Sequence, residues 1–339
     1  MAKARGGDAD AAPVLLRCLD DCASAFRRAS AARLLARFRE QYGVLAGLVR
    51  AAVDGEPLVR SAATWAIAER GAEPRAALIA LQRAAEDEFA VVRQHAGWGL
   101  REVDLTDAAE HVSAPLERAM NEWVGGQLVE AEDPESQHAL GLFWSARGDA
   151  DKAERAYRSA LRLAPNSIPA RHNLAVLLVD AGRADDAVAE FEKVVEGAPG
   201  FAPASYSLGM LHAEAERWED AIDAFAAAMH ADPKMPGVLY GLSDAYARSG
   251  DGYSASRILE ASLKFDELHQ EALIGLLNVS VIVDDTETAK GWARVIADQY
   301  PDLAGEKRIA ELLDGEDSSS RAEESGHGGS GSGTERSGL

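Results

Sequence analysis

Few residues of this chain have the type and spacing that catalysis or metal binding requires. Its two cysteines, Cys18 and Cys22, would share one face of a helix. Their spacing is one residue wider than a CxxC motif, and zinc would need more ligands nearby. The eight histidines are scattered, and no Walker loop, HExxH, GxSxG or dinucleotide-binding glycine pattern occurs. We therefore predict a chain without catalytic activity, metal or cofactor.

Four aromatic side chains with a polar group at the tip indicate that the chain binds a partner. They recur at steps of 34 residues as His138, His172, Tyr206 and Tyr240. Such rings can anchor a partner, because each offers contact area and a hydrogen bond at a low entropic cost. An equally open interpretation is that they pack against a neighbouring helix and only fill space. The choice depends on the elements that position them.

These rings belong to a 34-residue frame that fits five times without a gap between residues 134 and 303. A copy has Leu at its seventh place, usually a small residue at its eighth, Ala at its twentieth and a large residue at place 24. Small residues that face each other let two helices approach closely. A left-handed Gly such as Gly148 can end the first helix, and Pro near the end of most copies stops the second. The frame therefore predicts five antiparallel helix pairs.

The period and the small, aromatic and proline places resemble those of tetratricopeptide repeats (TPRs). The resemblance implies a superhelix whose first helices form a concave face that binds peptides or partner helices. Places 5 and 9 of each copy are among the binding positions of that family. Carried over residue by residue, the candidate groove consists of His138, Leu142, His172, Val176, Tyr206, Met210, Tyr240 and Asp244.

A looser repeat occupies residues 11–103. Its clearest copies are Asp54, Arg60 and Trp65, followed 33 residues later by Asp87, Arg93 and Trp98. The Asp should accept from free backbone N–H groups at a helix start, and the Arg should reach acidic groups of the adjacent loop. The pattern resembles bacterial HEAT-type repeats and implies three hairpins. The predicted fold class is thus an all-α solenoid of HEAT-like hairpins followed by a TPR superhelix.

The remaining segments complete the predicted domain order. Residues 104–133 hold a linking helix and 304–314 a capping helix, whereas residues 1–10 and the acidic Gly/Ser-rich tail 315–339 are predicted to be flexible. This order also resembles the C-terminal half of bacterial multihaem c-type cytochromes, without their CxxCH motifs. An accessory subunit or detached module of such a redox complex is the alternative to a protein-binding scaffold. A third hypothesis is a HEAT-repeat lyase. It has no support from the residues, because the HEAT-like part of the sequence contains no cluster of acid, base or nucleophile.

The charge distribution narrows the class of partner. The formal net charge is −21, of which residues 111–313 account for −16. An acidic array disfavours nucleic acid and favours a neutral or basic protein or peptide. No apolar run reaches the roughly 20 residues that span a bilayer, and we recognise no secretory signal. The sequence thus predicts a cytoplasmic protein, or a periplasmic one if the kinship with cytochromes holds.

Overall fold

The computed structural model describes residues 11–106, 109–263 and 269–313. All regular secondary structure in these ranges is helical, which confirms the predicted all-α solenoid. The two segments predicted to be flexible, 1–10 and 315–339, lie outside the described residues. The chain divides into two compact units, Met1–Gly182 (unit 1) and Arg183–Leu339 (unit 2). None of the described helices is both long enough and apolar enough to cross a membrane.

Unit 1 opens with six short helices in three pairs. They are α1 (Ala11–Asp21) with α2 (Ala25–Leu35), α3 (Val44–Ala51) with α4 (Pro57–Ala68), and α5 (Arg75–Ala84) with α6 (Ala90–Gly99). The second helices α2, α4 and α6 pack side by side and form one row. The core between the two rows consists mainly of Ala, Leu and Val, such as Leu35, Val59 and Leu81. Small side chains suit this packing because they let neighbouring helices lie close together.

A row of buried arginines ties successive pairs of unit 1 together. Arg28 donates to Asp54, and Arg60 donates to Asp87 through Nε at 2.7 Å. Each guanidinium also donates to two carbonyls just before its own helix; for Arg60 these belong to Asp54 and Gly55. The same aspartates accept from the backbone two residues on, as predicted. The prediction that the arginines reach the next acidic loop is therefore confirmed.

A longer helix, α7 (Glu110–Val129), continues the row in unit 1 and contacts both α6 and α8 (Pro134–Ala146). Arg93 donates to Glu122 of α7, so the arginine row ends on this helix. Trp123 stacks between Trp98 and Phe143, with ring centroids 4.9 and 5.0 Å away. Unit 1 is completed by α9 (Ala150–Leu163) and α10 (Ile168–Asp180). The boundary between the units therefore falls inside the second 34-residue copy.

Unit 2 contains the remaining helices of the 34-residue frame. They are α11 (Ala184–Gly197), α12 (Ala202–Glu214), α13 (Trp218–Ala231), α14 (Val238–Arg248), α15 (Gly252–Ser262), α16 (His269–Ile282) and α17 (Thr286–Gln299), and a last helical stretch covers residues 307–313. Aspartates at place 16 start several second helices by accepting from a backbone N–H in the first turn. Asp251 caps α15 and Asp285 caps α17 in this way, and Asp149 caps α9 of unit 1.

The residue that ends each first helix adopts a left-handed conformation in all five copies. Gly148, Gly182 and Gly250 have φ values of 73°, 71° and 95°, which confirms the prediction for these glycines. Glu216 and Asp284 occupy the same place with φ values of 55° and 61°. Side chains with a Cβ rarely adopt this conformation, so these two positions carry local strain.

The small residue at place 8 has a different neighbour from the one expected. The sequence suggested that it faces the Ala at place 20, but a Cβ added at Gly141 would come within 2.3 Å of the Tyr157 ring. Likewise, a Cβ at Gly209 would lie 2.6 Å from Phe225, and one at Gly241 of the next pair 2.7 Å from the same ring. The large residue at place 24 therefore needs the space that small residues leave on both sides.

Candidate functional site

The eight candidate groove residues lie on the first helices α8, α10, α12 and α14. In unit 1, the His138 ring lies 6.0 Å from the Tyr157 ring and is tilted by 43°. In unit 2, the Tyr206 ring lies 5.7 Å from that of Phe225. Both rings are half-buried against the large residue of their own helix pair. His138 and Tyr206 therefore pack against a neighbouring helix, as the second interpretation of the ring series stated. Only part of each ring faces outward.

His138 and His172 of unit 1 are disfavoured in their charged form by burial. Burial lowers the pKa of His138 and of His172 below the ordinary value. A neutral imidazole can accept a hydrogen bond, and Asn173 Nδ2 lies 2.8 Å from His138 Nε2 as its donor. This bond joins α8 to α10 and fixes the His138 ring. It also occupies a ring nitrogen that a partner would otherwise use.

The apolar members of the set are the ones that face solvent. In unit 1, Val176 of α10 is 39% exposed and Leu142 of α8 is half-buried. In unit 2, Met210 is 40% and Tyr240 39% exposed, although both lie on first helices that pack against each other. A flexible Met offers an adaptable apolar contact, and a Tyr adds an apolar ring with a polar edge.

Acidic groups accompany the exposed Tyr240 in unit 2. Asp244, one turn further along α14, accepts from Arg248 Nε at 2.7 Å through Oδ2. Its other oxygen, Oδ1, is buried and accepts no hydrogen bond from the described residues. Glu271 of α16 accepts from the backbone N–H of Tyr240 at 3.2 Å. This part of unit 2 therefore combines an exposed Met and Tyr with two carboxylates, of which Asp244 is paired with Arg248.

The cysteines and histidines within the described ranges are not arranged for metal binding. Among the described residues, no three His, Cys, Asp or Glu side chains are grouped so that they could hold an ion. Burial and the neighbouring Cys22 raise the pKa of Cys18 to about 11, so this thiol stays protonated at neutral pH.

The sequence analysis did not identify a second feature, a row of half-buried and buried tryptophans in unit 1. Trp65 of α4, Trp98 of α6 and Trp123 of α7 line the same side of the helix row. The Arg33 guanidinium lies 5.3 Å from the Trp65 ring centroid, and that of Arg101 lies 4.1 Å from Trp98. The recurrence of Trp65 as Trp98 after 33 residues is visible in the sequence. The sequence does not show that Trp123 of α7 lies on the same side of the helix row.

Comparison with known families assigns both repeat types. A model of HEAT repeats matches residues 12–101, and two models of the tetratricopeptide repeat match residues 172–236 and 212–277. The chain contains HEAT repeats followed by TPRs. The HEAT match covers the three helix pairs from α1 to α6 and ends before the linking helix α7. The TPR matches begin at His172 and together include six of the eight candidate groove residues, all except His138 and Leu142.

Solved structures of TPR proteins are similar to part of this chain. MamA has 21% sequence identity and a TM-score of 0.46; the match covers 51% of this chain and 95% of MamA. YrrB, a TPR protein with an unusual peptide-binding site, has 17% identity and a TM-score of 0.46 over 54% of this chain and 93% of its own. PilF of Pseudomonas aeruginosa has 15% identity and a TM-score of 0.45; the match covers 69% of this chain and 98% of PilF. Among curated proteins, no sequence matches the chain.

Proposed function

We propose that the chain is a non-catalytic scaffold that binds a peptide or a partner helix along the first helices of its TPRs. The observation that carries this proposal is the exposed pair Met210 and Tyr240 in unit 2. These side chains lie on neighbouring first helices and expose about two-fifths of their surface, 40% and 39%. A buried core would have covered them, whereas a binding surface needs them accessible.

The contributions of the candidate residues to binding differ. Met210 and Tyr240 are the proposed anchors in unit 2, and Val176 with Leu142 is the corresponding apolar surface in unit 1. His138, His172 and Tyr206 are half-buried and supply edges rather than full rings. Asp244 adds a carboxylate beside Tyr240. In unit 2 the partner therefore makes apolar contacts with Met210 and Tyr240 and a polar contact with Asp244.

Charge narrows the proposed partner to a neutral or basic segment. Residues 111–313 carry a net charge of −16, and Glu271 and Asp244 lie next to Tyr240. An acidic surface attracts a Lys- or Arg-containing peptide and repels an acidic one or a phosphate backbone. The association rate should consequently fall as the salt concentration rises.

The proposal is tested by affinity capture from extracts of the native host with the full chain as bait. The variant Met210→Ala with Tyr240→Ala removes the proposed anchors. Tyr206 is kept, because it packs on Phe225 and its loss would disturb the helix pair. Tyr253→Ala is the matched control, since this Tyr is 73% exposed on the second helix α15. Proteins retained by the wild type and the control but lost from the double variant support the proposal. Equal capture by all three chains contradicts it.

A further inference from the structure

The first half of unit 1 contains a basic stretch in an otherwise acidic protein. Residues 25–43, which cover α2 and the turns after it, have five Arg and one Glu, whereas the whole chain has a net charge of −21. Three of these arginines, Arg33, Arg37 and Arg39, line a cavity of 910 Å³ together with Trp65 of the next pair. The positive charge is therefore concentrated at one concave surface.

This surface continues along the helix row of unit 1. A second cavity of 360 Å³ shares Trp65 and Glu69 with the first and extends past His95 to Trp98 and Trp123. We call the two cavities together the HEAT groove. One end of it is rich in Arg, and the other end is lined by Trp and polar side chains. An extended ligand in the groove would contact the arginines at one end and the tryptophan rings at the other.

Two arginines at the charged end, Arg33 and Arg39, can contact a ligand. Arg33 and Arg39 are exposed, and neither forms an ion pair with a carboxylate of the described residues. Arg70 lies behind them and donates to the Arg39 carbonyl, but its Nε and Nη1 are buried without a hydrogen-bond partner in that part of the chain. Burial lowers the pKa of Arg70; the nearby Glu40 carboxylate opposes this shift, and the positive charge of Arg39 adds to it. The positive charge here is thus only partly balanced by Glu40 and Glu69.

We propose that the HEAT groove binds an acidic linear peptide segment that carries an apolar side chain. Carboxylates of the peptide accept from Arg33 and Arg39, since the planar guanidinium matches a carboxylate through two parallel hydrogen bonds. The apolar side chain contacts the edges of Trp65 and Trp98. This partner is acidic, whereas the one proposed for the TPR surface is neutral or basic.

A single-stranded nucleic acid fits the same groove less well. Bases bind by stacking on free aromatic faces. Here Trp98 is stacked between Trp123 and the Arg101 guanidinium, and Arg33 lies over the face of Trp65. Glu40 and Glu69 also line the groove, where they would repel evenly spaced phosphates. A peptide can place its carboxylates at the arginines alone and avoid both conflicts.

The test measures fluorescence anisotropy of a fluorescein-labelled peptide of alternating Glu and Leu with the full chain. A peptide of alternating Gln and Leu and an oligothymidylate of similar length are the reference probes. The variant Arg33→Ala with Arg39→Ala removes two groove charges. The control variant, Arg27→Ala with Arg75→Ala, removes two exposed charges outside the groove. Circular dichroism checks that all chains are folded, and the two single groove variants replace the double one if it is not.

The proposal predicts that the Glu-Leu peptide binds more tightly than both reference probes, and that the groove variant weakens it about tenfold or more. The control variant should change its affinity by less than about threefold. The absence of Glu-Leu binding, or equal losses in both double variants, would overturn it. Tighter binding of the oligothymidylate, lost in the groove variant, would assign the groove to nucleic acid instead.

Discussion

At the scale of single residues, the buried arginines explain how the HEAT pairs are held together. The side chains of Arg60 and Asp87 are only 12% and 11% exposed, and the guanidinium also lies 5.5 Å from the ring of Phe89. Burial alone would raise the pKa of Asp87, but the hydrogen bond from Arg60 lowers it below the ordinary value. The pair is therefore ionised at neutral pH, and both side chains are largely shielded from water.

Removal of one partner should be costly. We expect Arg60→Met to lower the free energy of unfolding by about 2 kcal/mol, because it leaves the Asp87 carboxylate buried and two carbonyls without their donor. The measurement is urea unfolding followed by circular dichroism. Arg50→Met is the control, since its pair with Asp20 is 59% and 46% exposed and should contribute less than about 1 kcal/mol. Equal effects of the two substitutions would contradict this account.

A buried histidine makes the stability of the HEAT repeats depend on pH. Burial lowers the pKa of His95, the Ser61 carbonyl at 3.1 Å raises it, and Arg33 lowers it further; the net shift is downward. When the pH falls below about 6.5, the unfolded chain takes up a proton that folded His95 does not. The folded state is then penalised until the lower, folded pKa is reached.

We therefore expect stability to fall between about pH 7 and pH 5, with each such histidine adding up to about 1.4 kcal/mol per pH unit to the slope. The variant His95→Asn should unfold with a shallower dependence, because Asn can still donate to the Ser61 carbonyl but does not titrate. Urea titrations at a series of pH values measure both slopes. A variant slope as steep as that of the wild type would exclude His95 as a contributor.

At the scale of helices, the place that ends each first helix is strained in two copies. Gly fills it in three copies, whereas Glu216 and Asp284 adopt positive φ values in the others. Glu216→Gly should raise the free energy of unfolding by about 1 kcal/mol, because Gly adopts this conformation without a Cβ clash. Gly182→Ala is the reciprocal control and should lower it by a similar amount. A destabilised Glu216→Gly chain, measured by thermal unfolding, would show that the strain is offset elsewhere.

The helices themselves could be predicted from the sequence because their signals are local. The left-handed glycines and the spacing of apolar residues mark each helix end, and the Asp–Arg spacing of the HEAT repeats predicts contacts to the next loop. Which side chain lies opposite Gly141 could not be predicted, because Tyr157 and Ala153 both lie on the helix that faces it. That choice depends on the rotation of one helix against the other.

The candidate binding residues were only partly predictable for the same reason. Family spacing identifies Tyr206 and Tyr240 as equivalent positions, but only Tyr240 is exposed, because Tyr206 packs on Phe225. The basic stretch of the HEAT groove was visible in the sequence. The net charge of residues 1–110 does not reveal it, because 15 Lys or Arg nearly balance 16 Asp or Glu over that range.

At the scale of the whole molecule, two repeat types carry surfaces of different character in one chain. Unit 1 contains the HEAT groove with its unbalanced arginines, and unit 2 contains the exposed Met210–Tyr240 pair with acidic neighbours. The compact part of the chain that contains the HEAT repeats extends through α7 to α10. A truncation for binding studies should therefore not be made between α7 and α8, because Trp123 and Phe143 stack across that junction.

The central claim, that the TPR first helices bind a protein segment, is tested most directly by the dissociation constant of a purified partner obtained by affinity capture. Isothermal titration calorimetry would compare the wild type, Met210→Ala with Tyr240→Ala, and Tyr253→Ala. We predict an affinity at least about tenfold weaker for the double variant and an unchanged one for Tyr253→Ala. An unchanged dissociation constant in the double variant would contradict the claim.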